Sequence, residues 1–357
     1  MIVKPDKQPE SNYLVKLTTL LVALVVIMVV LVVLMAGSLI FAPQLTAWLS
    51  KEEVQPVRIE KISTLANEWR APADAAIPEG EAGEEIRYGR ELIAHTSEYL
   101  GPKGKVMPIS NGMNCQNCHL DAGTRPFGNN FGAVASTYPK FRARSGTEET
   151  IEKRVNDCFE RSLNGKPLAE DSREMKAIVA YIRWLGKDVP KGIAPEGSGL
   201  LNLAFLDRAA DPQKGQLIYE QKCVTCHGTN GNGISNADGT TYTYPPLWGE
   251  HSYNTGAGLY RLSRIAGYIK ANMPWGATYN APQLTDEEAW DVAAYINSMY
   301  HPIKDFAHDW PDISKKPVDH PFGPFTDNFS EEQHKYGPYK PIVEKQKNSN
   351  KTLAEKK

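Results

Sequence analysis

Cys115-Gln116-Asn117-Cys118-His119 and Cys223-Val224-Thr225-Cys226-His227 are two copies of one pattern, C-x-x-C-H. With 5 Cys and 8 His in 357 residues, composition alone gives about 0.0016 chance copies. Two thiols followed at once by an imidazole are what attaches a c-type haem: both sulfurs add to porphyrin vinyl groups, and the histidine becomes an axial ligand of the iron. A redox dithiol or half of a zinc site would use the cysteines but leave the histidine idle in both copies. Two covalently bound haem c groups are expected, with Cys115, Cys118, His119, Cys223, Cys226 and His227 holding them.

The repetition extends around the motifs. Ala180-Tyr181-Ile182 returns as Ala294-Tyr295-Ile296, so one structural unit occurs twice. Ahead of each Cys pair a helix is predicted: Ile86, Ile93 and Leu100 share a face in the first copy, and Gly215, Ile218 and Tyr219 open the second. Each copy also closes with a helix. Asp171 and Glu174 read as a cap before Met175, Ile178, Val179, Ile182 and Leu185, and Thr285-x-x-Glu288 is a capping box before Val292, Ile296 and Met299. Gly89 and Gly215 would let the closing helices come close. The expected fold is all-α: two tandem cytochrome c domains over residues 84–190 and 207–301, joined by a linker at 191–206 in the Pro- and Gly-rich region from Val189.

The composition narrows the rest. Forty basic against 42 acidic residues give a formal charge of −2, with no long basic stripe to neutralise a phosphate backbone, so nucleic-acid binding is not expected. The length excludes a disulfide miniprotein. No charge interrupts the chain between Lys16 and Lys51, and Leu17 to Ala42 can cross the roughly 30 Å hydrocarbon core. Lys4, Lys7 and Lys16 precede this stretch, which places the N-terminus in the cytoplasm. A signal peptide would usually have an apolar region of about 7–15 residues and an A-x-A site, so an uncleaved transmembrane helix is favoured. Residues 1–50 then form the anchor in a bacterial cytoplasmic membrane. Residues 51–83 form a spacer rich in Ala, Pro, Glu and Gly from Ala71. The haem domains lie on the periplasmic side, where haem c is attached. Residues 302–357 form an extension whose Pro-rich, aromatic part to about Tyr339 is expected to pack across the domains, with a disordered polar end from Glu344.

A catalyst differs from a carrier at the sixth iron position. In the second copy the choices are His251 and Met273; Met273, followed by Pro274 in a short irregular loop, is favoured over His251, with simple core filling as the plain alternative. From Leu120 through Glu174 the first copy has neither Met nor His. Cys158 remains, with Lys140, Lys153 and Lys166 as weaker choices. Thr147 to Leu163 reads as a helix capped by Thr147, which stacks Arg154, Cys158 and Ser162 at i, i+4 and i+8. Arg142, Arg144 and Arg161 are near in sequence, and positive charge favours thiolate over thiol. A solvated basic face is the plain alternative. Thiolate and arginines together suit a small sulfur oxyanion, because the guanidinium fork matches sulfonate oxygens and each charge-assisted bond is worth about 1.5–3 kcal/mol.

From about Glu84 to His301 the chain resembles the thiosulfate dehydrogenase family of dihaem c-type cytochromes. The resemblance is carried by Asn111-Gly112-Met113-Asn114 leading into the first haem motif, Phe141 through Gly146, Arg154 through Gly165, and Lys270-Ala271-Asn272-Met273-Pro274. It implies two class I cytochrome c domains side by side and oxidation of two thiosulfates to tetrathionate at the first haem. It implies His119 and Cys158 as ligands there, His227 and Met273 at the second haem, and Arg144, Arg154 and Ser162 in the substrate pocket. Lys270 and Asn272 correspond to residues near the second haem that are associated with ligand change on reduction. Electrons would pass to a soluble cytochrome c or a membrane oxidase. The rival is a membrane-anchored dihaem carrier with no chemistry of its own.

Overall fold

The structure, a computed structural model, describes residues 10–49 and 68–354. The chain divides into two units, residues 1–63 and 64–357. Helix α1 (Glu10–Leu49) belongs to the first; within it Val15–Val32 is long and apolar enough to cross a membrane, and none of that stretch is buried. A signal sequence passes the same test, so the N-terminal segment is an apolar helix of either kind.

The second unit is mostly helical with little sheet. In chain order it contains α2 (Glu81–Ala94), α3 (Thr96–Leu100), the short turn α4 (Leu120–Gly123) after the first haem motif, α5 (Val134–Thr137), α6 (Ile151–Arg161) and α7 (Arg173–Leu185). A hairpin of β1 (Lys140–Arg142) and β2 (Thr147–Glu149) precedes α6. The second copy contributes α8 (Pro212–Lys222), α9 (Val224–His227), the hairpin β3 (Ile234–Ser235) with β4 (Tyr242–Tyr244), α10 (Leu262–Asn272) and α11 (Asp286–Ser298). Finally come α12 (Glu331–Tyr336) and α13 (Lys340–Ala354). The two antiparallel hairpins correct the all-α expectation.

Both copies are built on the same crossing of first and last helix. A Cβ on Gly89 would lie 1.9 Å from Ala177 O and 2.9 Å from Tyr181 Cβ; one on Gly215 would lie 1.9 Å from Asp291 O and 2.8 Å from Tyr295 Cβ. Backbone therefore meets backbone at each crossing, and only glycine fits. The repeated Ala-Tyr-Ile triplets put the tyrosines of the two copies at equivalent contacts.

Two caps differ from the sequence reading. Thr147 pairs with Arg142 in the hairpin, and α6 is capped instead by Thr150, whose side chain accepts from Lys153 N at 3.2 Å. The Gly146 turn, at φ +69°, folds Thr147 back into a strand, so the helix starts after it. Likewise Ser172, not Asp171, caps α7 by accepting from Met175 N at 3.2 Å, leaving Glu174 to accept from Tyr88 OH at 3.0 Å. The Thr285–Glu288 capping box is present as read, with bonds of 3.1 and 2.7 Å.

The segments before α2 and after His301 both pack on the helical unit, the second as expected. Trp69 is 6% exposed and its N–H donates to Glu196 O at 2.9 Å, so the chain lies on the first copy well before α2. After His301 the chain returns over both copies. Arg161 holds Asp309 through two bonds of 2.8 and 2.7 Å, and Trp310 N donates to Arg144 O at 2.7 Å. Asp319 binds Arg261 and Ser263 at the start of α10. The end from Glu344, expected to be disordered, continues α13 as far as Ala354; just before that helix Tyr339 is buried against Phe205 and Trp290, and Ile342 in its first turn is buried. Residues 355–357 lie outside the described ones.

Candidate haem and substrate site

The first C-x-x-C-H lies in a short turn reached by irregular chain after α3, and the second lies in a short turn directly after α8. His119 Nδ1 meets Asn129 O at 2.5 Å and His227 Nδ1 meets Pro245 O at 3.0 Å. A histidine whose Nδ1–H is given to a backbone carbonyl presents its Nε2 lone pair outward, the orientation a metal-ligating imidazole requires. Burial lowers both imidazoles, His119 to about 4, so each is neutral near pH 7 and able to ligate. All five cysteines are free of disulfides, and burial pushes the Cys115 and Cys118 thiols up to about 12 and Cys223 to about 11. Such thiols are poorly suited to dithiol exchange. Among the described residues no group of three or more His, Cys, Asp or Glu side chains could hold a metal ion by themselves, which disfavours a zinc site. These residues fit haem c.

The residues expected at a substrate site lie on β1, the turn after it and α6. Cys158 is half-buried, and its charge adds to the burial that raises the Cys115 and Cys118 thiols. Arg154 sits one turn before Cys158, and its guanidinium is held charged above all by the Cys158 sulfur. Burial raises the Tyr138 hydroxyl, with Arg154 and Arg142 opposing and Glu149 and Cys158 adding to it. Ser162 follows as the last residue of the helical stack, its N–H donating to Cys158 O at 2.8 Å. Of the weaker iron-ligand choices, Lys140 and Lys166 are exposed, and Lys153 is bound to Asp157 at 2.6 Å.

Asp157 is the residue the sequence reading passed over. Its side chain is 3% exposed and accepts from Arg144 Nη2 and from Lys153, with Arg154 4.0 Å away. Burial alone would raise its carboxyl, but Arg144, Lys153 and Arg154 outweigh that and hold it below the usual range. Its i+3 and i+4 relation to Arg154 and Lys153 was a usable signal. The four cations Arg142, Arg144, Lys153 and Arg154 face the two carboxylates Glu149 and Asp157, leaving a net positive site. Arg161, read as part of the cluster, is instead committed to Asp309.

At the second copy Met273 closes α10 and is half-buried against the core, whereas the His251 side chain is exposed and its carbonyl accepts from Asn111 Nδ2 at 2.9 Å. Asn272 is 2% exposed; its Nδ2 donates to Tyr268 O at 2.9 Å and to Phe127 O at 3.1 Å, and its Oδ1 has no partner in the chain. Lys270 donates to Leu284 O and pairs with Asp286, both at 2.7 Å. The copies are joined at the first motif, where Tyr268 OH donates to Asn117 O, inside the C-x-x-C-H, at 2.7 Å.

Fold and motifs together define a protein of two cytochrome c domains, each with its own haem-attachment turn. Residues 106–190 match the family described as SoxA/TsdA, cytochrome c domain, and residues 212–300 match Cytochrome c. The chain is 39% identical over 245 residues to a thiosulfate dehydrogenase of Psychrobacter arcticus, covering 68% of this chain and 71% of that protein. It is 41% identical over 236 residues to one of Allochromatium vinosum, covering 65% and 84% respectively. A solved thiosulfate dehydrogenase (TsdBA) of Marichromatium purpuratum, in its as-isolated form, superposes with a TM-score of 0.60 at 34% identity, over 65% of this chain; this chain spans about half, 49%, of that longer one. The chain belongs to the thiosulfate dehydrogenase family.

Proposed function

We propose that this chain couples two thiosulfates into tetrathionate and delivers the two electrons to a soluble cytochrome c or a membrane oxidase. The observation that supports the reading is Cys158 one helical turn after Arg154, close enough to Tyr138 and to the Cys115 and Cys118 thiols of the first haem motif to act on their charge. Haem c would be held at the first site by Cys115, Cys118, His119 and Cys158, and at the second by Cys223, Cys226, His227 and Met273. When bound, the two haems supply one-electron acceptors, one for each electron released.

The chain's own groups bring the reactants together. Arg144 and Arg154 bind sulfonate oxygens and reduce the repulsion between two dianions, an electrostatic contribution of the kind that dominates in a partly buried site. Ser162, one turn beyond Cys158, adds a hydroxyl donor. The Cys158 thiolate and the outer sulfur of the first thiosulfate form a sulfur–sulfur bond with loss of two electrons. The outer sulfur of the second thiosulfate then attacks that of the first; the bond to Cys158 breaks, its thiolate leaves and tetrathionate departs. Lys270 and Asn272, both at the end of α10 just before Met273, would be the residues involved in a change of ligand at the second haem. The N-terminal helix anchors the protein in the cytoplasmic membrane of a bacterium, with the haem domains, 84–190 and 207–301, in the periplasm.

A steady-state assay of the haem-loaded protein with thiosulfate and ferricyanide tests this. Thiosulfate-dependent ferricyanide reduction is expected, and its absence would mean a carrier that exchanges electrons but performs no sulfur chemistry.

A further inference from the structure

Helix α10 carries Arg264, Tyr268 and Asn272 at i, i+4 and i+8, a single stripe along its surface. Two members of that stripe are bonded to the first cytochrome copy, Tyr268 to Asn117 O at 2.7 Å and Asn272 to Phe127 O at 3.1 Å. Arg264, one turn nearer the start of the helix, faces the same way. It is half-buried and lies close enough to Arg154 and Arg142 to feel their charges. Burial, then Arg261, and further out Arg154 and Arg142 all disfavour its cation, with Asp319 alone opposing them among the main influences.

What separates Arg264 from its neighbours is the lack of a partner. Arg144 is paired with Asp157, Arg161 with Asp309 at 2.7 Å and Arg261 with Asp319 at 2.6 Å; even Arg142 has Glu149 at 3.9 Å. Among the described residues no carboxylate comes within 4.0 Å of the Arg264 guanidinium and no acceptor takes a hydrogen bond from it. Asp319 is already used, one oxygen by Arg261 and the other by Ser263 N and Oγ. Arg264 is also the third residue of α10, where the helix dipole is positive and a cation is unfavourable. A half-buried cation among like charges at the wrong end of a helix is a costly arrangement that a bound anion relieves.

We propose that Arg264, supplied by the second cytochrome copy, binds the anionic sulfur substrate at the Cys158 site of the first, so that the site is complete only with the two copies docked. The inference rests on the function proposed above and deepens it: the substrate pocket is composite, with Arg154 on one wall and Arg264 on the other. The same free guanidinium could instead meet the carboxylate of a haem propionate, and the experiment separates these two anions.

Three measurements on the haem-loaded protein and its Arg264→Gln and Arg264→Lys variants decide it. In steady-state thiosulfate oxidation, Arg264→Gln should raise KM by about 10- to 100-fold, the loss expected for one charge-assisted contact, and change kcat far less. Calorimetric binding of thiosulfate to the Cys158→Ala protein should weaken by the same factor when Arg264→Gln is added. Both haem potentials, titrated without substrate, should stay at their wild-type values. Arg264→Lys, which keeps the charge and loses the fork, should fall between, and it replaces the glutamine variant in every comparison if that one fails to load haem. Unchanged KM and unchanged binding would overturn the proposal, as would a shifted haem potential with normal KM, which would assign the guanidinium to a propionate. Failure of the wild-type protein itself to oxidise thiosulfate would sink the functional reading first, before any variant is compared.

Discussion

Asp157 illustrates how the site is set at the scale of single residues. One buried carboxylate, on the residue before Cys158 in α6, gathers Arg144, Lys153 and, more distantly, Arg154, so it fixes where the positive charge stands rather than merely reducing it. Asp157→Asn is expected to lower kcat/KM for thiosulfate by about tenfold with haem content unchanged, because Arg144 loses its charge-assisted partner; an unchanged kcat/KM would show that Arg144 is oriented by other contacts. The haem-attachment turns and the Arg154–Cys158–Ser162 stack were legible in the sequence because each is a local pattern at fixed spacing. Arg264 and Asp309 were not, since their significance depends on groups more than a hundred residues away and on which neighbouring charges are already paired.

At the scale of elements, the two glycine crossings and the α6 cap give separate tests. Gly89→Ala and Gly215→Ala would each force a Cβ to within 1.9 Å of a carbonyl oxygen across the helix pair, and backbone cannot yield as a side chain can. Each is expected to destabilise its domain by about 1–3 kcal/mol, read as a lower Tm. Equal Tm values would mean that the helices separate freely. Thr150→Ala should cost about 1 kcal/mol through loss of the α6 cap, and Thr147→Ala much less. The glycines were foreseen from small residues at matching places in a repeat. The cap was misplaced because both threonines suit the role by type, and only the Gly146 turn, which makes Thr147 a strand residue, chooses between them.

Across the whole molecule, the segment after His301 behaves as a brace. It lays Asp309 on Arg161, Trp310 on the Arg144 carbonyl and Asp319 on the start of α10, contacts that join both copies beside the substrate site. Its pairings were invisible in the sequence, where Pro-rich irregular chain carries no period to read. His320 sits in this brace among Phe306, Trp310 and Phe322, 7% exposed, and burial lowers it to about 4. Its folded pKa lies below the unfolded value of about 6.5, so the unfolded chain takes the proton first as pH falls. The neutral-His contribution is therefore fully present above about pH 6.5 and lost progressively down to about pH 4. Tm should drop over that window in the wild type, with a shallower drop in His320→Phe; equal slopes would remove His320 as the cause. The central claim, that thiosulfate is oxidised at the Cys158 sulfur, is tested most directly by tetrathionate formation in the wild-type and Cys158→Ala proteins at matched content of both covalent haems, with ferricyanide as acceptor. The account predicts one tetrathionate for every two ferricyanides reduced by the wild type and almost none from the variant; near-normal tetrathionate from Cys158→Ala would contradict it.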